Sequence, residues 1–260
     1  MKYEFDKMNH RDRQILCGLF ISRFDQEGLK YLGFKSFAEA FNTLGYSLRA
    51  RPASIKNYRD ELDPFFPNKR KGWHKRPLRD HCRHLLNIYG NATITDLGEL
   101  IKGFLLPGKV VESSPEVRRV LAAHNADMSS SFAKRLITGK AAEEYFSLHH
   151  GKMQEFSGLA LTDTTGWGCG FDFKLSAASH DTFFAVEVKG LRTKYGQIQL
   201  TDLEYDMADA LRSRYYLVLV RNFAEQPFHT IIKDPTHSEI SFAKVTRKEV
   251  RLSWTASITE

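Results

Sequence analysis

The stretch Phe183-Phe184-Ala185-Val186-Glu187-Val188-Lys189 constrains this chain more than any other. It is dense in β-branched and aromatic residues and reads as a strand, in which successive side chains leave on opposite faces. Phe184, Val186 and Val188 then share an apolar face, while Ala185, Glu187 and Lys189 share the other. An acid and a lysine side by side on a buried strand must be compensated, because unpaired charge away from water is strongly unfavourable. Downstream, residues 202–211 read as a helix opened by the capping box Thr201/Glu204, and residues 215–220 as a second apolar strand. Strand, helix and strand in this order form a βαβ crossover, which makes the two strands parallel. Upstream, residues 171–175 form a strand joined to 183–189 by the polar loop 176–181, which predicts an antiparallel hairpin. The expected fold class is therefore α+β or α/β, a mixed β-sheet flanked by helices.

The first half of the chain has a different period. Ile15, Leu16, Leu19, Phe20 and Phe24 recur at helical spacing over residues 13–24. Ser36 and Glu39 form a capping box for a helix over 37–44, which Gly45 is placed to end. After a basic turn at 49–52, residues 53–62 read as another helix, stopped by Asp63-Pro64. Helical patterns resume over 79–126, and a further helix is expected over 131–149. The change of period near Ser129 predicts a mainly helical domain over 1–128 and a sheet-containing domain over 129–260.

Charge points to a partner for the helical part. The net charge is +7, and between Arg49 and Arg83 eleven Lys or Arg face only four acids, so this segment carries the whole excess. Concentrated cations interleaved with aromatic rings suit a surface that tracks a phosphate backbone. The two short helices within 36–63 resemble a helix-turn-helix, in which the second helix enters the major groove. Ser54, Lys56, Asn57 and Arg59 on that helix are of the types that read base edges or hold phosphates. The run 64–77, with three prolines and a glycine, is expected to be an irregular, DNA-facing loop through Lys69, Arg70, Lys71, Trp73, His74, Lys75 and Arg76.

Several other classes find no support. With 42% hydrophobic and 12% aromatic residues the chain can bury a core, yet no apolar run reaches the length of a membrane helix. Its charged start, MKYEFDKMNHRDRQ, lacks the apolar centre of a signal peptide, so a cytoplasmic location and no membrane partner are expected. Cys17, Cys82 and Cys169 are isolated, which predicts free thiols and neither a disulfide framework nor a zinc knuckle. The glycine-rich segment 163–170 is not followed by a helix with Lys-Ser/Thr, so it is not a phosphate-binding loop, and no organic cofactor is expected.

What remains is the charged strand. If the hairpin register allows, Asp172 lies beside Glu187, and two converging carboxylates make an oxygen-rich site suited to Mg²⁺, with Mn²⁺ as a substitute. A metal there would polarise a phosphodiester and acidify an attacking water. Lys189 would orient or deprotonate that water, or offset transition-state charge. Asp172 and Glu187 are thus the expected metal ligands, with Lys189 as catalytic cation or base. A rival set exists in Asp172-Phe173-Lys174 with Asp163 upstream, but the strand of Glu187 and Lys189 is more apolar and leads into the crossover.

The ordered set Gly139-Lys140-Ala141-Ala142-Glu143, Gly170-Phe171-Asp172-Phe173, Glu187-Val188-Lys189-Gly190, Thr201-Asp202-Leu203-Glu204 and Tyr215-Tyr216-Leu217-Val218 resembles the PD-(D/E)xK nuclease superfamily. It is similar in particular to a subgroup found in restriction and phage-defence proteins. Ala142 stands where that pattern has a second glycine, and no proline precedes Asp172. The resemblance implies a restriction-endonuclease-like core and adds Glu143 as a residue that touches the metal site. It implies a glutamine supporting the site, for which Gln197 and Gln199 are candidates. It further implies a type II restriction enzyme cutting double-stranded DNA with Mg²⁺, acting as a homodimer because two strands must be cut. A modification-dependent or repair nuclease, and a non-catalytic DNA-binding protein, are the alternatives.

Overall fold

A computed structural model describes residues 8–70, 72–73, 75–106, 130–177, 182–246 and 255–257. Its described part is a five-stranded mixed sheet with seven α-helices, the first five of which form a helical region ahead of the sheet. The expected boundary between residues 128 and 129 falls outside the described residues.

Helix α1 (His10–Tyr31) opens with a capping box between Asn9 and Asp12 and buries Ile15, Leu16, Leu19 and Phe20. It runs further than the expected 13–24, although Asp25, at φ 48°, breaks its geometry. Helix α2 (Phe37–Ser47) carries the expected Ser36 cap but continues through Gly45. That glycine serves packing and does not end the helix. A Cβ there would stand 2.8 Å from the Cα of Pro52, the first residue of α3 (Pro52–Leu62). Helices α4 (Asp80–Tyr89) and α5 (Ile94–Leu105) complete the bundle, whose core includes Phe20, Leu44, Ile55, Cys82 and Leu100. Residues 107–126 of the expected helical stretch lie outside the described residues.

Helix α6 (Ser130–His149) leads into the sheet. The strands β1 (Ala160–Asp163), β2 (Phe173–Ser176), β3 (Phe183–Gly190), β4 (Tyr215–Arg221) and β5 (Phe228–Lys233) are hydrogen-bonded in chain order. β2 and β3 are antiparallel, and β3 and β4 are parallel across α7 (Asp202–Leu211), as the hairpin and crossover readings require. The hairpin loop expected at 176–181 is described only to Ala177. The edge strands β1 and β5 were not anticipated. Each is largely exposed or half-buried, so neither presents the apolar run that marks the central strands.

The two faces of β3 divide as their alternation dictates. Val186 and Val188 join Ala141, Ala142, Tyr145 and Phe146 of α6 in one core, together with Phe173, Val218 and Val220. On the other face Ala185 packs with Tyr215 and with Ala208 of α7. The helical region is fixed to this unit by buried polar contacts. Asn42 donates to the carbonyls of Phe223 and Glu225, and the Ser47 hydroxyl donates to Ile137 O at 3.0 Å. Glu39, 1% exposed, is held by Lys134 at 2.6 Å and Arg192 at 3.0 Å.

Candidate active site

The ladder between β2 and β3 pairs Phe173 with Val186, so the next step of the register sets Asp172 opposite Glu187. There the ladder opens. Asp172 N–H still donates to Val186 O at 3.0 Å, but the Val188 N–H is taken at 2.8 Å by the Asp172 carboxylate. The side chain replaces a main-chain acceptor where the two strands part, which fixes it beside Glu187.

Glu187 is only 2% exposed. Lys189, two residues along the same face, places its ammonium 2.5 Å from Glu187 Oε1 and 2.7 Å from Glu204 Oε2. Glu204 does two jobs. The same oxygen accepts from Thr201 N–H at 3.0 Å, closing the capping box of α7 and so tying Lys189 to the start of the crossover helix. The sequence marked Glu204 only as a cap; an acid in the first turn of the helix that must cross the charged strand's face was the available signal for its second role.

Glu143 arrives from α6. Its approach depends on Gly190, where a Cβ would lie 2.8 Å from Thr138 O and 3.1 Å from the Ala142 Cβ. The helix therefore seats closely on the end of β3 because residue 190 is glycine. The Ala142 methyl fits against that bare backbone, so alanine in place of a second glycine is accommodated.

The electrostatics record an excess of acid. Burial pushes the Glu187 carboxyl well above the usual carboxylate range; Asp172 adds to the push, and Lys189 offsets it only in part. Asp172 is raised as well, by burial, against the pull of the Val188 N–H and Lys189. Burial and then the charge of Asp172 push Glu143 up to about 7. Burial alone would lower the Lys189 ammonium, but Glu187 and Glu204 outweigh it and its pKa rises. These two carboxylates therefore favour the charged form of Lys189.

The other expected residues divide. Of the rival set, Lys174 faces Ala185 in the register and lies 5.0 Å from the Phe183 ring centre, while Asp163 accepts from the Thr165 amide and hydroxyl and its charge bears on Asp172 and Glu143. Gln197 and Gln199 are exposed. In the helical region, Lys56 and Asn57 project from α3, Lys69, Lys75 and Arg76 are exposed, and Ser54 and Trp73 are half-buried. Arg59 and Arg70 depart from the expected surface role. Arg59 is 8% exposed, paired with Asp60 at 2.7 Å and sandwiched near Phe37 and Phe41. Arg70 grips the buried Asp63 at 2.7 Å and Asp25 at 2.8 Å. Acids adjoining the basic run drew both inward. Lys71 and His74 lie outside the described residues.

Among the described residues no group of three or more His, Cys, Asp or Glu closes to metal-holding distance, and no helix is long and apolar enough to cross a membrane. Cys17, Cys82 and Cys169 are free thiols. No curated protein and no solved structure matches the chain. Residues 142–232 match the family model described as "Protein NO VEIN, C-terminal", a domain associated with PD-(D/E)xK-like nuclease-related proteins, and the matched stretch contains Glu143, Asp172, Glu187, Lys189 and Glu204.

Proposed function

We propose that this chain is a metal-dependent endonuclease of the PD-(D/E)xK kind, hydrolysing phosphodiester bonds of double-stranded DNA at specific sites, in the manner of a type II restriction enzyme. The observation that carries the reading is the Asp172 carboxylate, just ahead of β2, held by Val188 N–H beside the buried Glu187, with Lys189 paired to Glu187. Two buried carboxylates raised by burial, with Asp172 adding to the push on Glu187, favour a cation between them. Their all-oxygen chemistry fits Mg²⁺, which is commonly held by one or two carboxylates with water and substrate phosphate supplying the rest. Asp172 and Glu187 would hold it, and when bound it would polarise the phosphate and acidify water.

The chain's own residues do the remainder. Val188 N–H fixes Asp172, Glu204 fixes Lys189, and the Lys189 ammonium offers positive charge to a phosphate that gains negative charge in the transition state. The exposed cations Lys56, Lys69, Lys75 and Arg76 are suited to the DNA backbone, and a homodimer would bring one such site to each strand. The test is incubation of the purified chain with unmodified plasmid and phage DNA, with Mg²⁺, Mn²⁺ or EDTA, beside Lys189→Ala. Discrete fragments that need the metal and vanish in the variant are expected. Cleavage that persists in EDTA or in Lys189→Ala would sink the reading. A chain that stays monomeric both free and on DNA would remove the homodimer from it.

A further inference from the structure

One face of helix α3 lines an open pocket. Ser54, Asn57, Tyr58 and Glu61 recur at helical spacing along it, while Ile55 and Leu62 point into the bundle. Opposite this face the backbone of Trp73 is anchored by its main-chain N–H, which donates to Asp60 O at 2.8 Å. Between them lies a pocket of about 270 Å³ with Arg76 at its border. This is smaller than the roughly 300–1,000 Å³ of sites that enclose drug-sized ligands. One flat ring system fits it better than a dinucleotide.

The walls say what kind. Tyr58 and Trp73 supply π-faces, and each already carries a guanidinium, Arg79 at 5.1 Å from the Tyr58 ring centre and Arg76 at 5.0 Å from that of Trp73. Glu61 is 4% exposed and is held by the Arg79 side chain and main-chain N–H. Burial alone would raise its pKa, but these donors outweigh burial and lower it, so Glu61 stays ionised. Its oxygens are taken by Arg79, so Glu61 closes the pocket floor and leaves the reading of a base edge to its neighbours. Asn57, exposed beside it, can both donate and accept.

We infer that this pocket takes a single nucleobase unstacked from DNA, held against Trp73 and Tyr58 and read by Asn57. The inference rests on the proposed DNA substrate but not on cleavage. It makes the helical region a reader of an everted base, which favours substrates whose base leaves the stack easily, such as mismatched, damaged or bulged positions.

The test uses the full chain in EDTA with two fluorescein-labelled duplexes, one fully paired and one with a single extrahelical 2-aminopurine nucleotide. Binding is followed by anisotropy and base capture by quenching of 2-aminopurine. Tighter binding of the bulged duplex is expected, with quenching. Trp73→Ala should weaken that complex by roughly 5- to 150-fold while the paired duplex changes far less. Trp73→Phe should recover part of the loss. Asn57→Ala, at an exposed position that cannot compromise folding through the core, should also lower the preference. Equal affinity for both duplexes, or a preference that survives both Trp73→Ala and Asn57→Ala, would overturn the pocket. If that happens while Mg²⁺-dependent cleavage persists, the nuclease reading stands alone. Retention of neither duplex at low salt would overturn both.

Discussion

Two buried charge clusters in this molecule were built from the same residue types and are opposites in balance. In the helical region Asp63, Glu61 and Glu39 each meet arginine or lysine at close range, as with Arg70 on Asp63 and Arg79 on Glu61. For Glu61 and Glu39 these partners outweigh burial, and both acids sit below their ordinary pKa. Around the sheet, Asp172, Glu187 and Glu204 crowd Lys189 while Glu143 is offset only by Lys140, and Asp172, Glu187 and Glu143 are pushed upward. Satisfied clusters hold a fold together. A cluster left short of positive charge is of the kind found at functional sites, and the proposed function assigns it a cation.

The largest expected difference between the two is catalytic. Lys189→Ala should lower kcat by about 10²- to 10³-fold, the usual loss when one electrostatic stabiliser is removed, with DNA affinity in EDTA nearly unchanged. Single-turnover cleavage beside a binding isotherm measures both. A variant that loses binding in step with cleavage would make Lys189 a DNA anchor and blur the contrast.

Arg70→Ala should do the reverse. Asp63, with a side chain 1% exposed, would keep only Ser22 and the more distant Arg59 at 3.6 Å. Stranding a buried carboxylate in this way costs about 2–4 kcal/mol, read as a fall of several degrees in Tm. Below that Tm, cleavage and DNA affinity should match the wild type. A selective loss of DNA binding in a fully folded variant would return Arg70 to the DNA surface.

The same contrast predicts a pH slope. For Glu143, Glu187 and Asp172 the folded pKa lies above the unfolded value, so the folded state binds more protons. Their combined contribution is most favourable at low pH and is lost as pH rises, for Glu143 between about 4.5 and about 7. In metal-free buffer, Tm should therefore fall by the equivalent of roughly 1–3 kcal/mol between pH 5 and pH 8. Mg²⁺ should flatten that slope, because it favours the ionised carboxylates. Glu187→Gln should flatten it without metal. A slope indifferent to both would mean that these acids are already compensated.

These two clusters were not equally legible in the sequence. Alternation along residues 183–189 placed Glu187 and Lys189 together, and the short hairpin placed Asp172, because β3 is central and apolar on its other face. Glu204 was seen as a cap but not as a partner of Lys189, since helix capping is local and its meeting with β3 depends on how α7 crosses the sheet. The helical region misled through composition. Counting charges from Arg49 to Arg83 cannot tell a cation facing water from one turned inward, and Arg59 and Arg70 were turned inward by acids only a few positions away. Gly45 misled for a related reason: a glycine needed for the approach of Pro52 has the same signature as one that ends a helix.

The smallest effect sharpens the comparison most, because it concerns cations that neither cluster employs. Lys75 and Lys69 are exposed, unlike Arg59 and Arg70 in the same basic run. If they meet phosphates, each contributes by releasing about one counterion, independent of sequence. Lys75→Ala should then weaken DNA binding several-fold at moderate salt, equally for every duplex, and reduce the slope of log K against log salt by about 1. Stability should not move, since an exposed lysine away from buried partners is worth little to the fold. Lys75→Ala and Lys69→Ala together should add, as independent sites do. An unchanged salt slope in the double variant would place the DNA on another face of the chain, away from both lysines.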